Sequence, residues 1–205
     1  MGGQHHRNIQ GATLTIFDIP PKTREELFSL LEGKPVKQET DEIEEESQEV
    51  IKDDFIAKSH EFIKDKVVAL NWEEMQELVA GILRAMGYKT RISPKGADRG
   101  KDIIASPDGL GLENPKILVE VKHRQGSMGS QEIRSFLGGL RASDKGLYVS
   151  TGGFSKDAKY EAERSNVPLT LVDSDMLVEL IIQYYDHFDN ESKTLVPLKK
   201  IYWPI

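Results

Sequence analysis

Asp102 is followed eighteen residues later by Glu120 and, after one intervening valine, by Lys122. Two carboxylates and an ammonium group can carry out phosphoryl transfer without a nucleophilic side chain. Convergent carboxylates repel each other and call for a proton or a cation between them. Oxygen ligands of this kind suit Mg2+ or Mn2+, which bind one or two carboxylates and keep waters for the substrate. Such a metal lowers the pKa of a bound water and neutralises charge on a phosphodiester. A lysine beside it orients the nucleophile or stabilises the pentavalent transition state.

The elements around these residues must bring them together. The run KILVEVKHR, Lys116 to Arg124, reads as a strand in which Ile117, Val119 and Val121 share one face while Leu118, Glu120 and Lys122 share the other. An ionised side chain taken out of water is costly unless it is paired or bound to a metal, so a purely structural strand has little reason to place two there. Asp102 opens the aliphatic strand DIIAS just after a turn marked by Gly96 and Gly100. If these two strands are neighbours, cross-strand Cβ distances of roughly 5 Å let Asp102 and Glu120 converge.

Around this pair the pattern predicts an α/β domain. Asn71 with Glu74 three residues on is a capping-box signature, with Leu70 and Met75 as its hydrophobic staple. Trp72, Met75, Leu78, Val79, Ile82 and Met86 then trace one helical face up to Gly87. Strands near YKTRIS, DIIAS and 116–123 follow, then a helix from Ser130 to about Leu140 and the strand GLYVST. A helix from Ser155 to Ser165, the strand LTLVD and a helix from Ser174 to Phe188 complete the order αβββαβαβα. That order implies a mixed sheet flanked by helices on both faces, with parallel pairing through the later helices.

Residues 71–205 form this domain. Residues 50–70 form a connecting helix with Ile51, Phe55, Ile56, Phe62, Ile63 and Val67 along one stripe. Residues 1–49 form a short segment with one strand (ATLTIFDI), a helix after Pro21, and an acidic block, Gln38 to Glu49, that reads as a solvated linker or a frayed helix start. The whole is a small, mainly helical N-terminal extension.

The 205 residues hold no cysteine, which excludes disulfides, thiolate nucleophiles and zinc-thiolate sites and fits a reducing compartment. No apolar run approaches the roughly 18 to 20 residues that span a bilayer, and the first residues do not read as a signal peptide, so the expectation is a soluble, cytoplasmic protein without a membrane partner. The net charge of −7 argues against a polyanionic partner only as an average. Residues 1–70 hold 9 Lys+Arg against 15 Asp+Glu, a balance of −6, which leaves 18 against 19, or −1, for the remainder. The acidity lies mostly ahead of the domain, and distribution matters more than the total.

Lys89, Arg91, Lys95, Arg99 and Lys101 precede Asp102, opposed by Asp98, and His123 and Arg124 follow Lys122. Such runs are usually solvated faces, but these flank the candidate site and suit phosphate-backbone contact. Asp98 itself reads as a turn former or as an additional ligand. Ser155 and Lys156 open a helix whose N-terminus can take a phosphate, although ordinary capping explains the same letters. His5, His6, His60 and His187 show no ligand spacing and read as surface residues, and Trp203 reads as packing a C-terminal strand onto the domain.

The Asp…Glu-x-Lys pattern resembles that of the PD-(D/E)XK nucleases, and among them the chain resembles the Mrr-like restriction endonucleases. The resemblance spans about residues 71–205 through EEMQELVAGILRAMGY, GADRGKDIIA, VEVKHRQG, IRSFLGGL, GLYVSTGGFSKDA and IYWP. It implies a restriction-endonuclease-like αβββαβ core, with Asp102 and Glu120 as ligands of Mg2+ or Mn2+, the Val121 carbonyl as a further ligand and Lys122 as the catalytic lysine. It implies a metal-dependent endonuclease acting on double-stranded DNA, often methylated, as a homodimer because two strands call for two sites. Where many members carry a glutamate in the first helix, this chain has Gln76, with Glu77 beside it, which puts a strong second metal site in doubt. A structure-selective nuclease such as a junction resolvase shares the core. A non-catalytic nucleic-acid-binding module is the alternative from another class, against which the intact acidic pair speaks.

Overall fold

The computed structural model describes residues 39–94 and 101–201, with side chains described from residue 49 onward. The strand and helix expected before residue 34 lie outside the described residues, as do Lys95, Gly96, Asp98, Arg99, Gly100 and Trp203. The chain divides into two compact units, Met1–Lys52 and Asp53–Ile205. Among the described residues no helix is long and apolar enough to cross a membrane.

The acidic block is helical, as the start of α1 (Glu39–Val68). The expected apolar stripe divides along this helix: Ile63 and Val67 are buried in the core, whereas Ile51, Phe55, Ile56 and Phe62 are exposed. Lys64 donates to Asp175 at 2.6 Å and fastens this end of the helix to the domain.

α2 (Trp72–Ala85) begins as its sequence predicts. The Asn71 Oδ1 accepts from the Glu74 N–H at 3.0 Å, and the Glu74 carboxylate accepts from the Asn71 N–H at 2.8 Å. Two of the donors that a helix start leaves unpaired are thereby satisfied. Gly87, at φ +96, turns the chain out of the helix into β1 (Lys89–Ile92).

β2 (Ile103–Ser106), β3 (Lys116–Lys122), β4 (Asp144–Ser150) and β5 (Leu169–Val172) complete a sheet of order β1-β2-β3-β4-β5 among the described residues. The first three strands pair antiparallel, and β3, β4 and β5 pair parallel. The parallel crossovers run through α3 (Ser130–Gly138) and α4 (Lys156–Glu163), which pack on each other. α5 (Ser174–Tyr184), a 3-10 turn over Tyr185–His187 and α6 (Asn190–Leu195) end the described chain; the expected last helix therefore stops early, and α6 had no counterpart in the pattern.

One face of the sheet packs Ile103, Ala105, Val119, Val121, Val149 and Val172 against α2 and α5. On the other, Tyr148 packs with Met128, Ile133, Phe136, Ala158 and Ala162. Burying each large aliphatic side chain contributes on the order of 1.5–3 kcal/mol, so both layers fix the positions of β3 and β4. The mixed sheet with helices on both faces is the architecture expected from the pattern.

Candidate active site

The C-terminal half of β3 brings its two charged residues to one face. Lys122 Nζ lies 2.7 Å from Glu120 Oε1. Glu120 is 8% exposed, while the side chain of Lys122 keeps 35% of its surface open to solvent. The site is thus enclosed at the carboxylate and open at the ammonium.

β2 supplies the other carboxylate. Ile103 stands opposite Val119, and the N–H of Asp102 donates to the Val119 carbonyl at 2.8 Å, which ties Asp102 to β3 one residue before Glu120. Asp102 is 5% exposed, and its Oδ2 accepts from the Val121 N–H at 2.6 Å. A side chain that bonds across the strand gap in this way is held firmly. The carbonyls of Val119 and Val121 point to the same edge of β3, because N–H and C=O of alternate residues share a side. The Val121 carbonyl therefore faces the side of Asp102.

Of the three auxiliary candidates Asp98 lies outside the described residues, and Gln76 and Glu77 differ in their partners. Gln76 is 3% exposed, and its Nε2 has no hydrogen-bond partner. It lines a cleft of about 400 Å3 with Trp72, Glu77, Ile92 and Ser93, and the N–H of Ser93 donates to the Asp102 carbonyl at 2.8 Å. Glu77 is drawn elsewhere: Arg84 binds it at 2.6 Å and also binds Asp189, at 2.7 Å, from the cap of α6. Gln76 and Glu77 both line that cleft, and they differ in that only Glu77 has an ion-pair partner, Arg84.

Among the described residues no three His, Cys, Asp or Glu side chains gather at one point. A divalent cation at this site would be held by the carboxylates of Asp102 and Glu120 with the Val121 carbonyl, a hard-oxygen donor set of the kind Mg2+ and Mn2+ take.

The expected DNA-contacting residues divide likewise. Lys101 is half-buried beside Asp102, Arg124 is exposed and 3.6 Å from Glu132, and Lys156 is exposed at the start of α4. His123 is engaged with the protein through both ring nitrogens, with the Leu70 carbonyl at 2.7 Å and Thr151 Oγ1 at 3.3 Å. The Ser155 hydroxyl accepts from the Ala158 N–H at 3.1 Å, the capping bond that its position predicts.

Two residues that the sequence reading passed over also stand here. β4 pairs with β3 so that Tyr148 lies opposite Glu120 and Ser150 opposite Lys122. Both are fully buried with unpartnered hydroxyls. Burial first, and then the Glu120 carboxylate, push the Tyr148 phenol well above its ordinary pKa. The alternation of GLYVST puts both on one face, but their neighbours follow only from the strand register.

The Mrr_cat family model, described as restriction endonuclease, matches residues 67–181, more than half of the chain. The chain belongs to this restriction endonuclease family. The matched stretch runs from the end of α1 into α5 and contains Asp102, Glu120 and Lys122, so the chain carries a nuclease domain of the restriction type. The Type IV methyl-directed restriction enzyme EcoKMrr of Escherichia coli (strain K12) is 33% identical over 114 residues, which cover 52% of this chain and 36% of that protein. The uncharacterized protein y4cE of Sinorhizobium fredii (strain NBRC 101917 / NGR234) is 30% identical over 93 residues, 43% of this chain and 24% of that protein. The chain thus spans about a third or less of the length of these relatives. A solved structure of the MspJI restriction endonuclease with a 27-mer oligonucleotide is similar at a TM-score of 0.44 and 18% identity, covering 73% of this chain and 34% of that one.

Proposed function

We propose that this restriction-type nuclease domain is a metal-dependent endonuclease that hydrolyses phosphodiester bonds of double-stranded DNA. The observation that carries the reading is the grouping of Asp102, Glu120 and Lys122 at the ends of two adjacent strands, with Asp102 bonded to the Val121 N–H at 2.6 Å and Lys122 2.7 Å from Glu120. A protein that only bound DNA would gain nothing from two buried carboxylates facing a polyanion. The name of the Escherichia coli relative, a methyl-directed restriction enzyme, supports methylated DNA as the target, and we assign the cytoplasm as the setting. Cutting two strands calls for two sites, and we assign this to a homodimer.

Hydrolysis joins a water oxygen to phosphorus and breaks one P–O ester bond, leaving a phosphate monoester and a free hydroxyl. Mg2+ or Mn2+, when bound, supplies the activation of water and the neutralisation of phosphate charge. Asp102 and Glu120 would hold that ion, and the Val121 N–H keeps the Asp102 carboxylate from swinging away. We assign Lys122 the stabilisation of negative charge on the non-bridging oxygens, where a fixed cation in an enclosed site acts more strongly than in water. Arg124, Lys156 and Lys101, with Lys95 and Arg99, provide salt-dependent contact with the phosphate backbone.

The test is nicking and linearisation of supercoiled plasmid, methylated and unmethylated, with Mg2+ or Mn2+ and then with chelator. Metal-dependent cutting that Glu120→Ala and Lys122→Ala both abolish is the expected result. Tight DNA binding by folded wild type without any cutting, unchanged by Lys122→Ala, would replace the enzyme with a binding module.

A further inference from the structure

Strand β4 carries two side chains whose polar atoms neither packing nor hydrogen bonding explains. Tyr148 and Ser150 are both fully buried, and neither hydroxyl has a hydrogen-bond partner. A buried hydroxyl left unpaired has lost its bonds to water, and phenylalanine or alanine would fill the same space without that loss. The packing around Tyr148 asks only for a ring. Phe136 meets it edge-on at 5.4 Å and 87°, and Phe154 does so at 5.9 Å and 75°.

The placement of these orphaned groups is not scattered. Tyr148 stands beside Glu120, and Ser150 stands beside Lys122, on the same face of the sheet. Among the described residues the remaining buried side-chain polar atom without a partner is Gln76 Nε2, in the cleft it lines with Ser93. Tyr148 and Ser150 thus both flank the Glu120–Lys122 pair. Native interiors pair their polar groups, so such a concentration marks a place prepared for something else.

Glu120 and Lys122 now hold each other at 2.7 Å. During cleavage Lys122 has to turn to a phosphate oxygen and Glu120 would face a cation, so that ion pair opens, and the β4 hydroxyls opposite these two residues can keep each of them aimed. We propose that β4 supplies both contacts: the Tyr148 hydroxyl donates to the Glu120 carboxylate, and the Ser150 hydroxyl accepts from the Lys122 ammonium. They are positioning residues of the site, and this assignment rests on the reading of Asp102, Glu120 and Lys122 given above. The orienting partners of metal-ligating carboxylates work in this manner, and their loss typically weakens metal binding or activity about 10- to 100-fold.

The test titrates Mn2+ alone by calorimetry into wild-type full chain, Tyr148→Phe, Ser150→Ala and Glu120→Gln, beside plasmid cleavage over a range of DNA concentrations. Tyr148→Phe keeps the ring packing, so we expect an unchanged or raised Tm, Mn2+ affinity weakened about 10-fold, and a lower kcat at unchanged KM. Ser150→Ala is expected to lower kcat while Mn2+ affinity stays at the wild-type value, because Lys122 is not a ligand. Wild-type Mn2+ affinity and kcat in Tyr148→Phe, with wild-type kcat in Ser150→Ala, would overturn the assignment. Glu120→Gln binding Mn2+ as well as wild type would overturn the site reading itself and the assignment with it, a result distinct from the behaviour of Tyr148→Phe.

Discussion

Strands β3 and β4 have polar residues at both ends, and the two ends treat them differently. Where these strands begin, the polar groups are satisfied. Ser106, just before the turn into β3, is buried, donates to Asp108 at 2.7 Å and accepts from the Gly111 N–H at 3.1 Å. The Asp108 carboxylate also accepts from the N–H groups of Leu110, Gly111, Leu112 and Glu113 at 2.9–3.3 Å. Desolvation would raise its pKa, but the Ser106 hydroxyl and these N–H groups outweigh it and hold the carboxyl well below the usual carboxylate range. Asp144, opening β4, is buried and accepts from the Arg141 N–H at 2.8 Å.

Six residues further along the same strands, Ser150 is as buried as Ser106 and has no partner, and Tyr148 beside Glu120 has none either. Residue type does not separate the two ends; satisfaction does. Polar groups that build a turn are paired inside the chain, whereas those beside the candidate site are left for a ligand or for reaction.

The largest expected effect breaks that contrast at the site end. Lys122→Ala should lower the cleavage rate about 10²- to 10³-fold, the typical loss for a group that stabilises developing charge, while the far-ultraviolet spectrum and Tm stay near wild type. Asp102→Ala should differ in kind. It removes a candidate ligand and also leaves the buried Val121 N–H without its acceptor, so chemical denaturation should show a loss of about 1–3 kcal/mol alongside lost cleavage.

At the other end, Asp144→Ala should cost stability alone, also about 1–3 kcal/mol, with cleavage per folded molecule retained. Cleavage lost there would show that the two ends are not separable.

The smallest effect is electrostatic. Desolvation would raise Asp189, but Arg84 and the N–H and hydroxyl of Ser192 outweigh it and take the carboxyl from 3.8 to about 2. Because the folded value is depressed, this stabilisation is complete above the unfolded value and is lost as pH falls from about 4 towards 2. Tm measured across that range should fall less steeply in Asp189→Asn than in wild type. An identical slope would remove Asp189 from the account.

Much of the fold was legible because its signals are local. The capping box at Asn71 and Glu74, the apolar face of α2 and the alternation along Lys116–Lys122 depend on neighbours within one or two turns. The stripe on α1 misled for the opposite reason. Periodicity tells which residues share a face and not whether anything covers it, so Phe62 is exposed where Ile63 beside it is buried. α6 is short, and its place depends on Arg84 reaching Asp189 and on Ser192 lying against Gly81, where an added Cβ would come within 2.0 Å of Ser192 Oγ.

The sequence by itself determined that Glu120 and Lys122 share a face, because the two-residue period of a strand allows no other arrangement, and that Asp102 stands at the start of a strand segment, which the structure begins one residue later at Ile103. Tertiary structure alone decided that Asp102 reaches the Val121 N–H, that Glu77 pairs with Arg84, and that Tyr148 and Ser150 flank the charged pair. The physical reason is sequence separation. Parallel pairing of β3 with β4 is set across an intervening helix by how two packed layers fit, and no short-range pattern carries that register.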